Sequence, residues 1–158
     1  MAKYKSFNDF IRNGCNEKEF FCIKFADNRH LHKTHPHYYF CVPNNLRNCF
    51  LLVMITSQVE KKRKLYINNE KAQKSLIYVD DTNLSFLKKE SVIDCNEAEM
   101  LMRDELFNIC VPRRGREIVC FDNNIQIGIK LAIINGIKNS PIVKPYIKNS
   151  ILPLNHTQ

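Results

Sequence analysis

Two continuous apolar runs dominate the pattern of hydrophobic and polar positions along the chain. His37 to Pro43 (HYYFCVP) and Asn48 to Gln58 (NCFLLVMITSQ) are rich in aromatic and β-branched residues and are separated by Asn44, Asn45 and Arg47. Runs of this kind divided by turn-forming residues predict an antiparallel strand pair at the heart of a sheet. Phe20 to Ala26 (FFCIKFA), Ser75 to Asp81 (SLIYVDD) and Ser91 to Cys95 (SVIDC) predict shorter strands, and PRRGREIVCFD predicts a turn and one more. The polar stretches DNRHLHKTHP and VEKKRKLYINN read as loops.

Helical spacing takes over elsewhere. Ser6 is placed to cap a short amphipathic helix with Phe7, Phe10 and Ile11 on one face, stopped near Gly14. Glu97 to Ile109 (EAEMLMRDELFNI) carries Met100, Leu101, Asp104 and Glu105 at helical spacing and predicts a helix inserted between strands. Ile125, Ile129, Ala132, Ile133 and Ile137 recur near i, i+4, i+7 and i+8, predicting a helix capped by Asp122 and ended by Pro141. A last short helix is expected from Pro145 to Ile151, since proline is tolerated in a first turn. Strands first and helices later indicate an α+β fold, with about five to six mainly antiparallel strands in a small barrel or sheet and helices appended at the C-terminal end. The expected organisation is one domain over 1–158: an N-terminal helical extension (1–18), a barrel core with one inserted helix (19–121) and C-terminal helices (122–152).

Composition narrows the class of partner. The chain has 158 residues, 44% hydrophobic and 25% charged, which is ordinary globular chemistry and argues against a disordered or collagen-like chain. With 24 Lys and Arg against 16 Asp and Glu the formal net charge is +8, favouring a polyanionic partner. The longest uncharged apolar stretch, Cys49 to Thr56, is far shorter than the roughly 20 residues that span a bilayer, so no membrane segment is expected. MAKYKSFNDFIRNG lacks the apolar stretch of a secretory signal, which gives a cytoplasmic expectation. Seven cysteines without a C-x-x-C pair make neither a disulfide framework nor a zinc knuckle, and read as buried thiols.

Candidate chemistry concentrates in two places. HLHKTHPH holds His30, His32, His35 and His37; its spacing is a weak signal for Zn²⁺ or Ni²⁺, and the loop is otherwise either an exposed, functionally neutral segment or one whose imidazoles, near their pKa, suit acid–base or phosphate-binding work. ITSQ places Thr56 and Ser57 where an apolar strand emerges into a polar segment, either to hold a phosphate or to satisfy the local backbone as a turn. Just beyond, Lys61, Lys62, Arg63 and Lys64 form a basic tract that is either a solvated face or a phosphate-neutralising one.

Taken in order, a loop closing on His35-Pro36, a strand, two asparagines, a strand ending ITSQ, a basic segment and LKKESVIDC resemble the MazF/PemK toxin family over roughly residues 20–97. The resemblance implies an SH3-like small β-barrel with appended helices, a homodimer, a neutralising antitoxin, and cleavage of single-stranded RNA without metal or cofactor. Thr56 matches the family's active-site threonine, and His35 stands where the family has an arginine before proline. Asp94 and Asn96 are the nearest counterparts of polar residues that some members carry after the Lys-x-Ser-Val strand. The loop leading to His35 holds no glycine, so the family's Gly-rich loop is absent.

Cutting RNA without a metal requires a base for the 2′-OH proton, an acid for the leaving 5′ oxygen, and positive or hydrogen-bonding groups around the phosphorane. His35 or His37 fits the proton-transfer roles, Thr56 and Ser57 the phosphate anchor, and Lys61, Lys62, Arg63 and Lys64 the attraction of the strand. Tyr38 or Tyr66 is available to stack bases, or else packs in the core. Two other readings fit the same residues: a noncatalytic basic nucleic-acid-binding barrel, and a protein-interaction module on the same fold.

Overall fold

A computed structural model describes residues 18–25, 38–103, 118–122 and 124–154. The expected helix at Ser6–Gly14, the histidine segment and residues 104–109 of the Glu97–Ile109 stretch lie outside them. Among the described residues, seven strands form one antiparallel sheet: β1 (Phe21–Phe25), β2 (Tyr38–Val42), β3 (Cys49–Thr56), β4 (Leu76–Val79), β5 (Ser91–Asp94), β6 (Glu99–Met102) and β7 (Ile118–Asp122). Their order is β4-β5-β3-β2-β1-β7, with β6 also paired to β3. Among the described residues, four helices are complete: α1 (Val59–Leu65), α2 (Glu70–Gln73), α3 (Ile127–Asn139) and α4 (Pro145–Ser150). The architecture is α+β, and among the described residues no ladder joins β4 to β7, so the sheet is open.

β3 is the spine. All eight of its residues are buried, as expected of a continuous apolar run covered on both faces. One edge pairs along β2, from Tyr38↔Ile55 to Val42↔Leu51. The other edge is shared end to end by β6 and β5. Between the pairs Leu52↔Glu99 and Ile55↔Ile93, β3 advances three residues while its partner chain covers six. The excess is taken up by a 3-10 turn at Cys95–Glu97, which bulges from an otherwise continuous edge.

The turn between β2 and β3 is built by the expected asparagines. Asn44 is fully buried; its Oδ1 accepts from the Leu46 amide (2.9 Å) and its Nδ2 donates to the Cys49 carbonyl (3.0 Å), while Asn48 takes a left-handed φ of 58°. The same turn receives the C-terminal end of the chain: the Asn45 amide donates to Ser150 O (2.8 Å) and the Leu152 amide to Pro43 O (3.0 Å).

Helix α3 lays Ile129, Ile133 and Ile137, one face at i, i+4 and i+8, into the core with Phe40, Val53, Ile55 and Ile93. Its contact with the bulge is very close: a Cβ at Gly136 would lie 2.7 Å from Cys95 Sγ and 3.0 Å from Cys95 Cβ. The described free cysteines Cys22, Cys41, Cys49 and Cys95 are all buried. Among the described residues, no helix is long and apolar enough to cross a membrane.

Three local expectations need correction. Glu99–Met102, within the stretch expected to be helical, is strand β6: its apolar pair Met100 and Leu101 fits either period, and pairing with the open edge of β3 outweighs local preference. VEKKRKL is helix α1 rather than loop: Glu, Lys, Arg and Leu favour helix, and Val59, Lys62 and Tyr66, at i, i+3 and i+7, share its inward face. Asp122 lies in β7, and α3 starts later, after Gln126, with no side-chain cap.

The tight α3–bulge contact predicts opposite signs for two glycine substitutions. Gly136→Ala should destabilise by about 1–3 kcal/mol through overpacking, whereas Gly128→Ala, with nothing within 4 Å of the added carbon, should stabilise by about 0.4–1 kcal/mol. Thermal unfolding of the two variants checks this; a lower Tm for both, or a higher one for both, contradicts the packing description.

Candidate nucleic-acid interface

Asp94, the last residue of β5, has no exposed surface. Its Oδ1 accepts from the Asn96 amide (3.0 Å), capping the 3-10 turn. Its Oδ2 accepts from Tyr66 Oη (2.8 Å) and meets Lys62 Nζ at 3.0 Å, and Lys62 Nζ also meets Glu97 Oε2 at 2.9 Å. A buried charge survives only when paired and hydrogen-bonded, and here three elements supply the partners. Burial alone would pull the Lys62 ammonium down, but Glu97 and Asp94 outweigh it and hold it above the usual lysine value. Burial also pushes the Tyr66 phenol up, reinforced by its hydrogen bond to Asp94 and that carboxylate's charge. The Cys95 thiol is raised in the same way, first by burial and then by Asp94, which makes it a poor nucleophile at neutral pH.

Asn96 extends the knot to α2 and to the end of α3. Its Nδ2 donates to the Ala72 carbonyl (2.8 Å) and its Oδ1 accepts from Ser140 Oγ (2.7 Å) at the end of α3. Ser140 Oγ in turn accepts from the amides of Ile142 (3.1 Å) and Val143 (3.3 Å), and Lys148 Nζ donates to the Ser140 carbonyl. Asp94 and Asn96 are therefore interior organisers, and neither lines the surface cleft described next.

With Lys62 turned inward, its neighbours face solvent. Ser57, Gln58, Val59, Glu60, Lys61 and Arg63 line one side of an open cleft of about 490 Å³, and Lys89 and Glu90, which lead into β5, line the other. The two sides meet because Thr56 pairs with Val92 across β3 and β5. Three cations against two carboxylates leave the cleft net positive. Arg63 pairs with Glu60, an exposed contact of small energetic weight. Lys64 is exposed on the same helix.

Of the expected site residues, Ser57, Lys61 and Arg63 are brought together, and Lys62 is diverted into the interior. Thr56 closes β3 at 4% exposure, and its Oγ1 accepts from the Gln58 amide (3.2 Å), the local turn role weighed for it. His35 and His37, like the other histidines, lie outside the described residues. Tyr38, the first residue of β2, pairs with Ile55 next to Thr56, but its ring stacks on Phe86 (4.4 Å between centroids) and packs with the core. Tyr66 belongs to the buried knot. Lys89 and Glu90 were not expected as site residues, although they stand in the Lys-x-Ser-Val part of LKKESVIDC; the signal was the basic dipeptide Lys88-Lys89 immediately before a β-prone run. Among the described residues no group of three His, Cys, Asp or Glu side chains is placed to hold a metal ion.

No family model, curated protein or solved structure matches this chain.

The knot makes stability depend on alkaline pH. Lys62 and Tyr66 hold their protons more tightly in the folded chain than at their ordinary values of 10.5 and 10.0. Their contribution is therefore complete below about pH 10 and is lost as pH rises through the folded values. The urea midpoint should fall steeply above about pH 10, and less steeply in Tyr66→Phe, which keeps the ring but has no proton to release. Equal slopes for the two proteins would contradict the linkage.

Proposed function

We propose that this chain is a metal-independent endoribonuclease of the MazF/PemK kind, built on an SH3-like barrel, acting on single-stranded RNA and restrained by a cognate antitoxin. The observation that carries the reading is the strand register. Thr56 pairs with Val92 and Ile55 with Tyr38, so the ITSQ strand end, the start of β5 in the Lys89-Glu90-Ser91-Val92 segment and the start of β2 all meet at one end of three neighbouring strands. The ITSQ and Lys-Glu-Ser-Val motifs of the sequence thus converge in space, beside a cleft bearing Lys61, Arg63 and Lys89.

In this reading His35 or His37 removes the 2′-OH proton, and the 2′ oxygen attacks phosphorus. The bond to the 5′ oxygen breaks, and a proton returns to that leaving oxygen. Ser57 and the Thr56 turn hydrogen-bond the phosphate, and Lys61 and Lys89 supply the positive field that offsets charge on the phosphorane. Imidazoles in place of the family's arginine make proton transfer, rather than fixed charge, the contribution of that loop.

A second reading is RNA binding without cleavage, and one observation favours it: the Thr56 hydroxyl is already buried and engaged by the Gln58 amide. Purified protein incubated in EDTA with a long single-stranded RNA separates the two. The nuclease reading predicts 2′,3′-cyclic phosphate ends, with the rate reduced by about 100-fold or more in His35→Ala. It also predicts weaker binding and a salt slope smaller by about 1 in Lys61→Ala. Intact RNA bound in a salt-dependent manner supports the second reading, and RNA neither cut nor bound overturns both.

A further inference from the structure

Of the tyrosines expected to meet bases, Tyr66 is buried and Tyr38 is half-buried against Phe86, yet one tyrosine that sequence did not single out lies beside Arg63 of the basic cleft. Tyr78 lies on β4, the terminal strand of the sheet, and is 43% exposed. It pairs with Val92, which itself pairs with Thr56, so Thr56, Val92 and Tyr78 form a cross-strand row on one face. Two strand spacings put Tyr78 about 10 Å from the Thr56 position. The Arg63 guanidinium, whose side chain lines the cleft, lies over the Tyr78 ring at 5.3 Å and pairs with Glu60 on its own helix.

We propose that Tyr78 and Arg63 form a stacking platform for one nucleobase of a single-stranded nucleic acid whose backbone follows Lys61 and Lys89. The platform rests on the RNA reading of the cleft and adds to it a base-binding subsite. Arg63 already holds a planar cation against the ring, and a base is the planar partner that either group accepts: aromatic rings and guanidinium planes both stack on bases. The preformed contact restricts both side chains before the ligand arrives, which reduces the ordering cost of binding. Stacking uses the π-face common to all bases, so the subsite contributes affinity and positioning with little sequence preference.

Two probes test this on the full chain. One is a 2′-O-methyl oligoadenylate carrying a single 2-aminopurine, which lacks the 2′-OH nucleophile and stays intact. The other is an abasic ribose–phosphate chain of the same length. The wild type should bind both and quench the 2-aminopurine. Tyr78→Ser should weaken oligoadenylate binding by about 5- to 150-fold, the range for losing one base–aromatic stack, abolish the quench, and leave abasic binding and the salt slope unchanged. Tyr78→Phe should retain the wild-type behaviour. If Tyr78→Ser binds oligoadenylate as tightly as the wild type does, the platform is wrong while the RNA reading stands. If the wild type binds neither probe, the RNA reading fails and takes the platform with it.

Discussion

A carboxylate with no access to water, Asp94, is the constraint around which this molecule is arranged. Left alone it would be among the costliest groups a small fold can bury, so each lone pair must find a donor. Those donors come from a helix (Lys62), the turn that follows it (Tyr66) and the 3-10 bulge (Asn96), and they tie α1 to β5. Removing one partner of such a pair typically costs about 3–5 kcal/mol, because the other is left charged and unpaired. The neighbouring Asn96 joins α2 and the end of α3 to the same bulge.

The knot also determines what the surface offers. An α-helix turns about 100° per residue, so anchoring Lys62 inward leaves Lys61 and Arg63 on the flanks, where they line the cleft facing Lys89. The slip of register that creates the bulge likewise lets β5 pair with Ile55 and Thr56 while β6 continues along β3. Interior charge pairing and exterior charge presentation are thus two consequences of one helix orientation.

Much of this was legible in the sequence because it is local. Strands β1 to β5 follow from dense β-prone runs, the β2–β3 turn from Asn44 and Asn45, and the buried face of α3 from its spaced isoleucines. What was not legible depends on partners distant in the chain. Lys62 reads as one more solvated cation until Asp94, thirty-two residues later, is placed beneath it. Met100 and Leu101 satisfy a helical spacing as well as a strand, and only the vacant edge of β3 decides between them. The same holds for the aromatics: composition cannot distinguish Tyr66, held inside by Asp94, from Tyr78, left at a sheet edge. For the site, the convergence of ITSQ with the Lys-Glu-Ser-Val strand was implied by motif order, whereas Lys89 as a cleft residue and Lys62 as an interior one required the fold.

The claim that the Lys62–Asp94 pair holds α1 to the sheet is tested most directly by a double-mutant cycle on unfolding free energy, using Lys62→Met, Asp94→Asn and the double variant. Each single change should be strongly destabilising, and the double variant should be more stable than the sum of the two predicts by about 2 kcal/mol or more, since it no longer buries an unpaired charge. Additivity within about 0.5 kcal/mol would show that the two side chains contribute independently, and would remove the pair from the centre of the structure.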